Sequence, residues 1–180
     1  MIDRPQRLSR ETIYRCPWVN LHRDRVRMPG GRIVERYHVL EFPRQAAAAL
    51  VEDDAGRILL VQAYRYALDS VQWEVPAGFM EPAETPEQAA LREAQEETGH
   101  ACDDAYLIYA YHPLAGMADQ VFHVVRARAT GKVGSFDESE VAGWRWFTRS
   151  EIEDLISTRS LVDGYSLTAL LLWLRNGDQR

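Results

Sequence analysis

The chain reads as an α/β domain built on a mixed sheet, and three observations predict it. Pairs of strand-like segments precede a single helix with marked ends at residues 86–98; more strand-like segments follow it; and two amphipathic helical segments close the chain. Strands gathered around one helix and followed by further helices fit an α/β/α sandwich.

Residues 1–42 read as an arm with its own hairpin. Trp18 to Met28 is strand-like, Pro29-Gly30-Gly31 signals a turn, and Arg32 to Phe42 resumes in alternation. A free-standing hairpin is marginal in water, so this arm is expected to lie on the main domain, 43–180, or on a second copy of the chain. Tyr14, Trp18 and Tyr37 are aromatic candidates for packing or for stacking against a base. Ala46 to Val51 is a compact apolar strand, Glu52 to Gly56 a turn, and Arg57 to Tyr64 another strand, giving a second hairpin. The run Ala46-Ala47-Ala48-Ala49 leaves room for another element to pack closely over it.

The helix has its own punctuation. Thr85 can cap it, Pro86 suits its first position, Gln88 completes a capping box and Gly99 stops it. Inside it, Glu93, Glu96 and Glu97 are spaced i, i+3 and i+4 and share one sector of the surface. They occupy the last turns, where the helix dipole disfavours anions, so local stability does not explain them. Arg92 and Glu84 stand close enough in sequence to offset part of the repulsion. A clustered set of oxygen ligands suits a hard divalent cation, above all Mg²⁺, with Mn²⁺ an alternative. Taken alone, such a cluster also fits a solvated, Glu-rich helix face.

After the helix, Tyr106 to Tyr111 and Val121 to Ala129 read as strands joined by the loop His112 to Asp119. Gly134 to Glu140 is a flexible acidic loop, and Val141 to Phe147 is a strand carrying Trp144 and Trp146. A helix opening at Thr148 or Ser150 runs to Ile156, and a second covers Ser166 to Leu174.

Composition limits the functions open to the chain. At 46% hydrophobic and 27% charged, 180 residues suit one domain with a sizeable core. A net charge of −6 with no basic run argues against a long nucleic-acid ligand. The first residues lack the apolar core of a signal peptide and no apolar run could span a bilayer, so a cytoplasmic protein is expected. Cys16 and Cys102 form no CxxC and read as thiols.

Read in full, Gly78 to Gly99 is G-x5-E-x7-R-E-x-x-E-E-x-G, with Gly78, Glu84, Arg92, Glu93, Glu96, Glu97 and Gly99 in place, and it resembles the Nudix box. The resemblance implies metal-binding carboxylates at Glu93, Glu96 and Glu97, an Arg92–Glu84 brace between loop and helix, and a metal contact from the Ala77 carbonyl. Two packing positions depart from the pattern: Ala94 is small where a larger aliphatic residue is usual, and His100 is polar where an apolar residue normally ends the box. Val61-Gln62-Ala63-Tyr64-Arg65-Tyr66 and Trp73-Glu74-Val75-Pro76-Ala77-Gly78 resemble the QxYR and WExPAG segments of the ADP-ribose pyrophosphatase branch of that family. By that likeness Arg65 lies near substrate phosphates, which a guanidinium can grip in bidentate fashion, the alternative being a surface salt bridge. Glu74 is then a substrate or structural group. His112 to Asp119 aligns with an SPG-containing segment, but Ala115 stands where proline is expected and Pro113 comes two residues early. Asp137-Glu138-Ser139-Glu140 resembles a DExE on a mobile loop, which makes Glu138 the candidate general base and Glu140 a secondary base, metal contact or substrate contact.

Taken together, the resemblance implies a Nudix-type sandwich with an N-terminal arm. It also implies Mg²⁺-dependent hydrolysis of a nucleoside diphosphate sugar to a nucleoside monophosphate and a sugar phosphate, and a homodimer joined through the arm. Trp18, Arg65, Glu74 and Glu140 are the substrate-binding candidates, and Arg92, Glu93, Glu97 and Glu138 the catalytic ones. Two other functions fit less well. A binding module that does not cleave usually loses box glutamates, and all are present here; WEVPAG and YRY argue against a nucleoside triphosphate phosphohydrolase.

Overall fold

The structure, a computed structural model, describes residues 3–176, and the chain divides into two compact units. Of the described residues, the first comprises 3–45 with 112–121 and the second 46–111 with 122–176.

In the first unit β1 (Gln6–Arg15), β2 (Asn20–Arg27) and β3 (Ile33–Glu41) form a three-stranded antiparallel sheet in that order. The sequence predicts only the β2–β3 hairpin. β1 lacks apolar alternation because almost its whole length is exposed, so period-two reasoning has nothing to detect. Gly30, at φ 78°, makes the β2–β3 turn. β2 alternates as a half-buried strand should, but its inner face is polar: Asn20, His22 and Asp24 are buried beside Val26. Arg10 donates to both Asp24 oxygens at 2.8 and 2.9 Å and to Glu41 at 3.1 Å, and Asn20 donates to Glu41 at 3.2 Å. Paired charges therefore take the place of an apolar core in this sheet. Segment 112–121 is fastened to β3 by Leu40 N–H to the Met117 carbonyl at 2.8 Å and by the Tyr37 hydroxyl to the Gly116 carbonyl at 2.9 Å.

The second unit contains β4 (Ala46–Glu52), β5 (Ile58–Arg65), β6 (Ser70–Glu74), β7 (Ala77–Phe79), α1 (Pro86–Thr98), β8 (His100–Tyr111), β9 (Phe122–Lys132), β10 (Gly143–Phe147), α2 (Arg149–Ser157) and α3 (Gly164–Asn176). Its sheet runs β10-β5-β4-β9-β8, with β6 added to β5 and β7 to β4. The β4–β9 pair is parallel and the others are antiparallel, which makes the sheet mixed. β4 is buried along its whole length and feeds two cores. Ala48 and Leu50 pack with Leu60, Phe147, Ile152, Leu170 and Trp173 on the side of α2 and α3; Ala47, Ala49 and Val51 meet Ala89, Ala90 and Ala94 of α1 on the other. This gives the α/β/α layering, with alanine facing alanine beneath the helix that carries the carboxylates.

Candidate active site

α1 has the ends its sequence specifies. The Thr85 hydroxyl accepts the Gln88 N–H at 3.3 Å and the Gln88 side chain accepts the Thr85 N–H at 2.9 Å, while Gly99 ends the helix at φ 72°. Gly99 has a second reason to be glycine, since a Cβ there would lie 2.3 Å from the Gly134 carbonyl oxygen. That contact belongs to the acidic loop, which closes on the end of the helix through Val133 and Gly134 N–H to Gly99 O and Asp137 N–H to Glu96 O. Both departures from the box pattern fit their surroundings. Ala94 is fully buried against the alanines of β4, where a larger side chain would push the layers apart. His100 is buried with its ring edge-on to Trp144 and Trp146 at 4.5 and 5.5 Å, and burial lowers its pKa, so it packs as a neutral imidazole.

Glu93 and Glu97 are both only 7% exposed, whereas Glu96 faces solvent. Arg92 spans the cluster. It donates to both Glu84 oxygens at 2.8 and 3.0 Å, to Glu93 at 2.7 Å, to Glu96 at 3.0 Å and to the Phe79 carbonyl at 3.0 Å. These contacts raise the Arg92 pKa further and hold Glu84 below the usual carboxylate range. Among the described residues Glu97 makes no ion pair of that kind, though the charge of Arg65 bears on it. Burial first, and then the Glu93 charge, push its carboxyl up to about 8, against the pull of the Ala77 N–H that it accepts at 3.2 Å. Glu93 is also raised, chiefly by burial. Gly78 is what admits Glu93, since a Cβ there would stand 2.1 Å from its Oε1.

Among the described residues no group of three or more His, Cys, Asp or Glu is arranged so that it could hold a metal ion, and Arg92 bonds both Glu93 and Glu96. The donor chemistry nevertheless fits a hard divalent cation. The candidate ligand atoms are all oxygens, burial makes both inner carboxylates costly to ionise, Glu93 in spite of Arg92, and Gly78 leaves room for Glu93 against the strand.

Arg65 and Glu74, left open by the sequence, are partners. Glu74 is 3% exposed and holds the Arg65 guanidinium through two of its nitrogens, Nε to Oε1 at 2.8 Å. The outer side of Arg65 remains open to solvent, and the charges of Glu97 and Asp163 bear on it. Asp163 was missed, as was Ser166, whose hydroxyl accepts the Val75 N–H at 3.0 Å. Neither role has a local signal, because Arg65, on which the Asp163 charge bears, and Val75, which Ser166 bonds, lie far earlier in the chain.

On the acidic loop Glu138 and Glu140 are exposed, and the Glu140 charge is felt by both Glu93 and Glu97. Glu138 is not among the main influences on either. In the first unit, Trp18 is 56% exposed with the Arg44 guanidinium 4.6 Å from its ring centre, so it is not a packing residue within that unit. His112 lies within hydrogen-bond distance of the Gln120 carbonyl at 3.0 Å and ties its own loop together.

Comparison with known proteins identifies the family. The sequence matches the NUDIX domain over residues 42–165 and the nucleoside diphosphate sugar hydrolase N-terminal domain over residues 6–40. It is 34% identical over 156 residues to the CMP-5'-(N-acetyl-N-hydroxy-3-aminopropyl)phosphonate hydrolase of Streptomyces rubellomurinus, covering 86% of this chain and 75% of that protein. It is 30% identical over 166 residues to the ADP-ribose pyrophosphatase of Bacillus subtilis, covering 91% and 89%. The crystal structure of an ADP compounds hydrolase superposes with a TM-score of 0.86 over 100% of this chain and 99% of the other at 19% identity, which speaks to the fold. The matched domain spans most of the chain and contains the carboxylate helix, so the chain belongs to the Nudix family and is a pyrophosphohydrolase.

Proposed function

We propose that the chain hydrolyses the pyrophosphate bond of a nucleoside diphosphate sugar of the ADP-ribose kind, with Mg²⁺ as the working cation and Mn²⁺ as a substitute. The observation that carries this is the burial of Glu97 beside Glu93, with no ion pair to Glu97 among the described residues, on a helix whose neighbouring strand supplies Gly78 and Ala77. Glu93, Glu96, Glu97 and the Ala77 carbonyl would hold the metal. When bound, the cation offsets the phosphate charge and makes a water more acidic.

The remaining roles fall to the chain itself. Arg92, fixed by Glu84, holds the buried Glu93 and the exposed Glu96 together through one guanidinium nitrogen. Arg65 is oriented by Glu74 and presents its open side to a phosphate. Glu138 or Glu140 takes the proton of the attacking water, and the charge of Glu140 on the cluster favours Glu140. The water oxygen bonds to one phosphorus as the bridging P–O bond to that phosphorus breaks, and the bridging oxygen leaves on the other phosphate, giving a nucleoside monophosphate and a sugar phosphate. Trp18 serves as a stacking surface for the base. We read 1–42 as an arm that docks on a second copy, giving a homodimer, and 43–180 as the catalytic domain. Among the described residues no helix is long and apolar enough to cross a membrane, and both cysteines are free, as suits a reducing cytoplasm.

Turnover of ADP-ribose, ADP-glucose, GDP-mannose and a CMP-linked phosphonate, with and without Mg²⁺, tests this reading. Glu97→Gln is expected to lower kcat by at least about 100-fold on the preferred substrate. Undiminished turnover by that variant would sink the metal assignment.

A further inference from the structure

Five consecutive residues set the shape of this site. Glu74 holds Arg65, Ala77 donates its N–H to Glu97, and Gly78 lies under Glu93, so the run from 74 to 78 relates the guanidinium to the carboxylates. β6 leaves β5 at Glu74 and β7 joins β4 at Ala77, so Val75 and Pro76 fall between two strands with no ladder partner of their own. The Pro76 carbonyl accepts the Ala49 N–H at 2.9 Å. The Val75 N–H, buried between the layers, is accepted by the Ser166 hydroxyl at 3.0 Å.

Ser166 is suited to hold something in place. It is 1% exposed and lies in the first turn of α3, where Asp163 accepts its N–H at 2.7 Å in the manner of a helix cap. The helix behind it is anchored through Ala169, Leu170 and Trp173 in the core. A buried hydroxyl on an anchored helix thus reaches the one free N–H in the turn between the two halves of the site.

We propose that Ser166 is a positioning residue of the active centre, fixing residues 74–78 so that Glu74 with Arg65 and Ala77 with Glu97 keep their mutual placement. This rests on the reading of the site given above. It goes beyond that reading in giving α3, which carries no residue of the Nudix box, control over metal affinity and turnover.

The test compares Ser166→Ala, Ser166→Thr and Thr168→Ala in the full chain. Thr168 bonds the Gly164 carbonyl at 2.8 Å near the start of the same helix, so its replacement by alanine removes a hydroxyl from α3 without touching Val75. In Ser166→Ala, kcat and the Mg²⁺ affinity measured by calorimetry without substrate are expected to fall about tenfold to 100-fold, the usual range when a group supporting metal ligands is lost. Amide exchange at Ala77 and Gly78 should quicken. Ser166→Thr keeps the hydroxyl and is expected to stay near wild type in all three readouts, whatever its Tm, and Thr168→Ala should be unchanged. Should Ser166→Ala not fold, Ser166→Cys takes its place, keeping the size with only a weak acceptor.

Wild-type turnover, Mg²⁺ affinity and exchange in the alanine variant would overturn the proposal, as would equal losses in Thr168→Ala. A wild-type protein that binds no Mg²⁺ and cleaves none of the substrates would instead sink the functional reading. Exchange at Ala77 and Gly78 then decides the role of Ser166 alone.

Discussion

At the scale of single residues, the site is organised around one carboxyl held where it is costly to ionise. Glu97 is pushed up to about 8 from an ordinary 4.5, so between those values the folded chain binds a proton that the unfolded chain has released. The stability this proton contributes is fully present below the lower value and is lost as pH climbs through the higher one. The expected outcome is that, in chelator, the Tm of the wild type falls relative to that of Glu97→Gln between pH 5 and 8.5. Millimolar Mg²⁺ should cancel most of that relative fall, because a bound cation stabilises the ionised form. A difference between the two proteins that stays flat with pH would show that Glu97 is not buried as a strained acid. The three glutamates were legible in the sequence because their spacing alone puts them together. Their unequal burial was not, since it depends on Gly78 and Ala77 lying beneath the helix. The Arg65–Glu74 pair was half legible: both residues stood out, but not that one holds the other across a hairpin.

At the scale of elements, α1 was legible to the residue because its caps are local chemistry. Thr85, Pro86, Gln88 and Gly99 settle its ends whatever surrounds it. Strands whose signal is spread over partners were read less completely. β8 begins at His100, yet only Tyr106 onward looked like a strand, because the register shifts near Asp103 and Asp104 takes φ 49°, breaking the alternation. β1 was invisible for want of a buried face. The alanine run of β4 did signal close packing, and the structure adds the reason that Ala94 is small: it is fully buried in an interface made largely of alanine. Restoring the larger aliphatic residue usual in the family should therefore harm this chain. Ala94→Leu is expected to cost about 1–3 kcal/mol by overpacking, lowering Tm by roughly 2–4 °C for each kcal/mol. An unchanged Tm, read by calorimetry, would mean that the layers have room to spare.

At the scale of the whole chain, the net charge of −6 hides a division that no local motif announces. Residues 1–42 carry nine arginines against five acidic side chains, while the rest of the chain carries twelve cationic and twenty-two acidic ones. The same arm exposes Ile13, Tyr14 and Trp18, and the β5–β6 hairpin of the second unit exposes Tyr64, Tyr66, Leu68 and Val71. Large apolar side chains left open on both units, on a chain whose two parts are opposite in charge, are what a self-complementary surface requires. A homodimer in which the arm docks on a second copy satisfies both features at once. Light scattering at micromolar concentration and low salt should then give twice the chain mass of 20.6 kDa. Raising the salt from about 0.1 to 1 M shortens the screening length from about 10 to 3 Å and should move the equilibrium toward the monomer. Trp18→Ala should do the same at low salt by removing apolar contact. A monomeric mass under every one of these conditions would end the dimer proposal and leave the arm to its own chain.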